Sequence, residues 1–246
     1  SSPVLSFLVL QFASLRITLV LDALSFFLAF GLVALLPKKE EKTTGEKKLT
    51  FKVICADIKE GVHYIVKQRE IFFLLVMASS VNFFFAAFNY LLPFSNQLYG
   101  VQGAYATILT MGAIGSIVGA LLASKIKASM EMLLFLLALT GLGVMIMGFT
   151  LPSYLAFSGN FICELFMTMF NIHFFTQVQT KVEGEYLGRV LSSIYTLAIL
   201  FMPIATGLMT FLPSVHLYSF LIIGLGVVAL SFLALGYVRT YFEKET

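Results

Sequence analysis

PSYLAFSGNFICELFMTMFNIHFFT (152–176) is the stretch from which the fold of this chain is read. It is overwhelmingly apolar and somewhat longer than the roughly 20 residues a helix needs to cross a bilayer core of about 30 Å. One carboxylate, Glu164, stands near its middle. A charge at that depth costs at least about 2.5–3.5 kcal/mol, so an intramembrane carboxylate normally faces a wet cavity or a partner. At about 100° per residue, Asn160, Glu164, Thr168 and Asn171 fall on one polar stripe. The other faces are Leu, Phe, Met and Ile. A helix built this way lines something wet.

Composition agrees. Of 246 residues, 59% are hydrophobic and 12% charged, against a usual charged share of about 25%. Mean hydropathy is +0.94. A soluble domain of 27.2 kDa has too little interior to hide so much apolar surface. Long unbroken apolar runs, rather than short alternating segments, make the spans helices and exclude an outer-membrane barrel. The chain is read as an all-α integral membrane protein.

Working outward, full spans are predicted over 15–36, 71–94, 103–124, 131–150, 152–176, 189–212 and 216–238. Residues 1–14 read as the remnant of a preceding helix. The start at Ser1-Ser2, with neither Met nor a signal peptide, reads as a piece of a longer protein. After the span ending at Pro37 comes a central loop, 38–70. It opens with the solvated run KKEEKTTGEKK and continues as FKVICADIKEGVHYIVKQRE. There Val53, Ile54, Ile58, Val62, Ile65 and Val66 share one face, which predicts an amphipathic helix at the membrane surface. His63 on it reads as a solvated loop residue. Residues 71–238 form a six-helix domain, and 239–246 a charged tail.

The connections alternate between charged and short. Of 16 Lys and Arg, only Arg16 lies on the side of the short ones. By the positive-inside rule the charged loops and the C-terminus are cytoplasmic, in the cell membrane. Residues 71–150 and 152–238 each make three spans, the second set starting from the opposite side. That is the layout of an inverted three-plus-three repeat, inferred from hydropathy alone.

At ITLVLDALSFFLAFGLVALLP (17–37) and DIKEGVHYIVKQREIFFLL (57–75) the chain resembles the major facilitator superfamily, in particular the branch of macrolide-efflux and siderophore-export permeases. FNYLLPFSNQLYG (88–100), GAIGSIVGALLASKIK (112–127) and GEYLGRVLSSIYTLAILFMPIATGLM (184–209) agree in order and spacing. The resemblance implies the C-terminal part of a family member: helices six to twelve, with most of the N-terminal six-helix half missing. That half would be a partner of this one. The resemblance also implies that the 71–94 and 152–176 helices line a central cavity. The family's loop after its eighth helix places an acidic residue between Gly and the basic residues. Here Gly119 leads to Lys125 and Lys127 without it.

Glu164 is the first candidate, either as the carrier of a coupling proton or as a counter-charge to a cationic substrate, against a structural ion pair between helices. Asn160 and Asn171 share its stripe. Asn82 and Asn89 share a face of the 71–94 helix and read equally as substrate hydrogen-bonders or as interhelical contacts. Phe83, Phe84, Phe85 and Phe88 are offered as aromatic walls. Asp22 reads as a structural partner of Arg16, and His173 as an interfacial hydrogen-bonder opposite Glu164. Cys55 and Cys163 read as packing. Gly188-Arg189, after Glu183 and Glu185, reads as a gating hinge with an ion-pair latch; Pro203 and Gly207 can interrupt their helix for a rocking motion. Gly112, Gly115 and Gly119 form a small-residue stripe suited to close helix approach.

No HExxH, Walker-type loop or GxSxG occurs, so no metal or cofactor is called for. Topology explains the basic loops without nucleic acid. The expected function is proton-coupled efflux of bulky, apolar or cationic small molecules, of the kind that confers antibiotic resistance. The weighed alternatives are a seven-span receptor, a non-transporting scaffold and an intramembrane enzyme. No span carries the mid-membrane lysine of a retinal protein.

Overall fold

The structure, a computed structural model, describes residues 15–34, 51–127, 129–149, 153–212 and 214–241. They form α1 (Leu15–Ala34), α2 (Phe51–Lys67), α3 (Arg69–Leu91), a 3-10 turn (Leu92–Phe94), α4 (Ser95–Tyr99), α5 (Ala104–Ala123), α6 (Met130–Met147), α7 (Ser153–Lys181), α8 (Gly184–Thr210) and α9 (Tyr218–Tyr241). No strand occurs among the described residues. The expectations for residues 1–14, the KKEEKTTGEKK loop and the end of the tail lie outside them, and those for the side chains of Arg16, Asp22 and Cys55 lie outside what is described.

The chain divides into two units, residues 1–54 and 55–246. The first contributes α1, a 20-residue helix that exposes Phe26, Phe27, Leu28 and Phe30. Everything that follows concerns the second.

Six of its helical stretches are long and apolar enough to cross a membrane: Arg69–Tyr99, Ala104–Ala123, Met130–Met147, Ser153–Lys181, Gly184–Thr210 and Tyr218–Thr240. They match the predicted spans of the 71–238 domain, with shifted ends. The 152–176 helix runs on to Lys181, and the 189–212 helix starts at Gly184. The added turns are polar (QVQTK, GEYLG) and stand at the charged end, where water can satisfy them. Local chemistry sets other ends. Ser129 caps α6 by accepting from the Met132 N–H at 3.1 Å. Gly100 and Gly103 supply the positive φ (64° and 81°) that turns the chain from α4 into α5.

Packing is pairwise. α7 lies along both α5 and α6, α6 along α9, and α3 along α8, with a narrower α3–α9 contact. Exchanging α3 with α7, α5 with α8 and α6 with α9 maps α5–α7 onto α8–α3 and α6–α7 onto α9–α3, and leaves α6–α9 unchanged. The contact pattern is that of a three-plus-three bundle.

Small residues let the backbones meet. A Cβ on Gly115 or Gly119 would run into the carbonyl oxygens of Phe161 or Leu165, and one on Gly143 into the Cys163 backbone. The Gly112/115/119 stripe is therefore the seat of α7 on α5. Lipid tails are as apolar as leucine, so such close backbone packing, rather than a hydrophobic drive, holds membrane helices together.

One end of the bundle carries the charges. Lys181 pairs with Glu70, Arg189 with Glu60 at 2.9 Å and Arg239 with Glu131 at 3.0 Å, joining α7 to α3, α8 to α2 and α9 to α6. At the other end the Tyr99 hydroxyl donates to the Met147 carbonyl at 2.6 Å.

The C-terminal half of α2 meets protein. Ile65 is fully buried, Tyr64 stacks on Tyr186 at 4.8 Å between centroids, and Gly61 sits against the Arg189 carbonyl and Ser193. Val66 stays exposed beside it. The helix expected at the membrane surface is thus docked on the start of α8.

Candidate functional site

The polar stripe of α7 is divided between two neighbours. On one edge, Asn160 and Glu164 face α5. Asn160 is buried; its Nδ2 donates to the Ile108 carbonyl at 2.8 Å, and its Oδ1 has no hydrogen-bond partner. Glu164 is half-buried and accepts from the Ser116 hydroxyl at 3.2 Å. Gly112 makes room for both, since a Cβ there would lie 2.5 Å from the Asn160 amide and 3.0 Å from Glu164 Cγ. Glu164 has no cationic partner among the described residues. A carboxylate held by one neutral hydroxyl can give up or take a proton without breaking an ion pair.

On the other edge, Asn171 faces a cavity of about 380 Å³ between α3, α7 and α8. Asn82 of α3 lines the same cavity, its Nδ2 donating to the Ala78 carbonyl one turn back at 2.8 Å. The walls are Met167, Phe170, Phe174 and Phe175 from α7 and Ile194 and Tyr195 from α8. Phe175 and Tyr195 stack at 5.4 Å, fixing α7 against α8. Mostly apolar and aromatic, with two amides converging, the cavity lies at the lower end of the range for small-molecule sites. Met167 is one turn beyond Glu164, so carboxylate and cavity sit on adjacent faces of one helix.

The predicted residues therefore form two groups, Asn160 with Glu164 and Asn82 with Asn171. Asn89 is exposed on α3, outside that cavity. Phe88 belongs to the core, edge-on to Phe220 at 5.9 Å, and Phe84 fills the space over Gly226. Of the phenylalanines offered as walls, Phe83, Phe84, Phe85 and Phe88 are all absent from this lining. The cavity's own aromatics were missed, although Met167, Phe170, Phe174 and the neighbouring Asn171 follow the three-to-four spacing of one helix face. Ser116 was missed as well. Its signal is a hydroxyl set inside a run of glycines.

Gly188 and Arg189 lie within continuous helix near the start of α8. Arg189 pairs with Glu60 of α2 at 2.9 Å. Pro203 sits inside α8, and Gly207 has open space around its Cβ position. His173 is buried with an unpartnered Nε2, beside a cavity it shares with Ser124 and Thr176 at the end of α5. Cys163 is a buried free thiol.

The sequence profile of the Major Facilitator Superfamily matches residues 1–199. No curated protein and no solved structure matches the chain.

Proposed function

The chain belongs to the major facilitator superfamily, a family of membrane transporters, and from that premise we propose that it works as a proton-coupled exporter. Its substrates are bulky, apolar or cationic small molecules, as in the macrolide-efflux branch it resembles. The observation that carries this reading is the pairing of an aromatic, amide-bearing cavity with a carboxylate one turn away that has no cationic partner among the described residues.

Substrate rests between α3, α7 and α8. Asn82 and Asn171 orient its polar groups, and Phe170, Phe174, Phe175 and Tyr195 take its apolar surface. Glu164, steadied by Ser116 and flanked by Asn160, exchanges the driving proton. Proton and substrate act on the same helix, so one can bias the position α7 adopts for the other. The alternation of access is a rocking of this half against a second six-helix half, with α8 yielding at Gly188–Arg189 and at Pro203–Gly207. The charged end of the bundle, with the C-terminus, faces the cytoplasm across the cell membrane.

The test is substrate-driven proton movement in inverted vesicles from cells expressing the protein, with a panel of macrolides, dyes and siderophores. Release of protons on adding a panel member, absent from vesicles without the protein, is the expected result. Substrate that equilibrates across the vesicle membrane with no proton movement would remove the coupling and leave a facilitator.

A further inference from the structure

Four aromatic side chains follow one another along the α3–α7–α8 cavity. Phe170 stacks on Phe174 at 6.0 Å between centroids, Phe174 stands nearly perpendicular to Phe175 at 5.3 Å, and Phe175 stacks on Tyr195. Phe170 and Phe174 are buried, whereas Tyr195 and Asn171 are exposed. Along α7 the lining runs from Met167 to Phe175, about 12 Å at a helical rise of 1.5 Å per residue, long enough for three fused rings. Ring faces and ring edges are both presented, and a further flat ring packs against either.

Two carboxamides reach the same space from different helices. Asn82 donates one N–H to the Ala78 carbonyl, which leaves its second N–H and its Oδ1. Asn171 has no hydrogen-bond partner among the described residues. A carboxamide carries a donor and an acceptor side by side, so it pairs with a ring edge that carries the same two groups, as asparagine does with adenine.

The cavity lacks charge. No Asp, Glu, Lys, Arg or His stands in its described lining. Glu164 lies on the adjacent face of α7, hydrogen-bonded to Ser116 of α5. A cation in the cavity would give up its water with no counter-charge beside it, a cost that phenylalanine and tyrosine ring faces repay only in part.

We propose that this cavity selects uncharged, flat heteroaromatic compounds with a lactam or imide edge, an N–H beside a carbonyl, over cationic compounds of the same shape. The four aromatic rings take the body of the compound, and Asn82 and Asn171 read its polar edge. The assignment deepens the exporter reading and rests on it for the cavity being the site of the carried compound. The order of affinities rests on the lining alone.

The experiment uses three fluorescent tricyclic probes of one shape: phenanthridinone, a neutral lactam; N-methylphenanthridinone, which lacks the N–H; and N-methylphenanthridinium, a cation. Each is titrated onto the purified protein in detergent, and proton release is followed in the inverted vesicles. Phenanthridinone is expected to bind tightest, its N-methyl form about fivefold weaker, the worth of one net hydrogen bond, and the cation roughly tenfold weaker or more. In Asn82→Ala/Asn171→Ala the gap between the two lactams should close. Asn171→Asp supplies the missing counter-charge and should raise the cation's affinity above the lactam's, a gain that misfolding cannot imitate. A cation that binds the wild type as tightly as the lactam, equal binding of the two lactams, a gap that persists in the double variant, or binding of none of the three overturns the proposal. The exporter reading fails separately: the expected order of affinities, with no proton release for any compound, removes export and leaves the selectivity. Proton release driven by other compounds, with the order of affinities reversed, does the opposite.

Discussion

Ser116 of α5 donates a hydrogen bond to Glu164 of α7 across 3.2 Å, at the point where Gly112 lets the two helices close. Three sequence features that look unrelated, a serine, a glycine stripe and a lone carboxylate, thus form one local arrangement. The glycines bring α7 near enough for the hydroxyl to reach, and the hydroxyl fixes the carboxylate's direction without neutralising it.

Ser116→Ala should therefore fold and yet slow exchange. A hydrogen bond to a charged group is worth about 1.5–3 kcal/mol, and losing it loosens Glu164 without opening a cavity of any size. Transport rate beside Tm in detergent checks this: the rate should fall several-fold, while Tm drops by only the few degrees that one lost hydrogen bond accounts for.

Gly115→Val is expected to be far more damaging than its exposure in sequence suggests. The added atoms meet the Phe161 carbonyl, which belongs to rigid helix backbone, and overpacking of this kind costs about 1–3 kcal/mol or more. Gly236→Ala provides the contrast, since nothing lies near its Cβ position and alanine favours the helix by about 1 kcal/mol. Thermal unfolding of the two variants should shift in opposite directions.

In the cavity, Asn171→Ala and Asn82→Ala should each weaken substrate binding about fivefold, the worth of one net hydrogen bond near 1 kcal/mol. Tyr195→Ala should cost more, because it removes aromatic area and the stack on Phe175 together. Quenching of a bound fluorescent dye reports all three. Asn89→Ala, outside the lining, is expected to have the smallest effect.

The docking of α2 gives a fourth prediction. Glu60→Gln should change the hydrogen exchange of residues 59–67 only slightly, since an exposed ion pair contributes less than about 1 kcal/mol. Gly61→Leu should detach the helix, because its Cβ would lie 2.9 Å from the Arg189 carbonyl, and exchange over the same residues should rise sharply.

Much of this was legible in the sequence, for reasons that can be named. The six spans of the 71–238 domain follow from apolar length, which the bilayer dictates directly. The close seat of α5 followed from Gly112, Gly115 and Gly119, because only a backbone approach explains three small residues one turn apart. The polar stripe of α7 was visible too, but its division was not. Helical spacing puts Glu164 and Asn171 on one side of a cylinder, whereas α5 covers one edge of that side and α3 with α8 leave a space at the other. Glu60 and Arg189 lie 129 positions apart, and nothing local marks them as partners. The cavity aromatics were hidden among 26 phenylalanines of one composition, most of which suit lipid as well as ligand.

The measurement that bears most directly on the account is the proton exchange driven by a transported compound in inverted vesicles, compared between wild type and Glu164→Gln. Glutamine keeps the shape and can still accept from Ser116, but it cannot carry a proton. The account predicts that the variant folds, binds the compound in the α3–α7–α8 cavity and moves no protons in exchange. A variant that exchanges protons as fast as the wild type would contradict it, and Glu164 would then be a structural carboxylate at the α5–α7 seam.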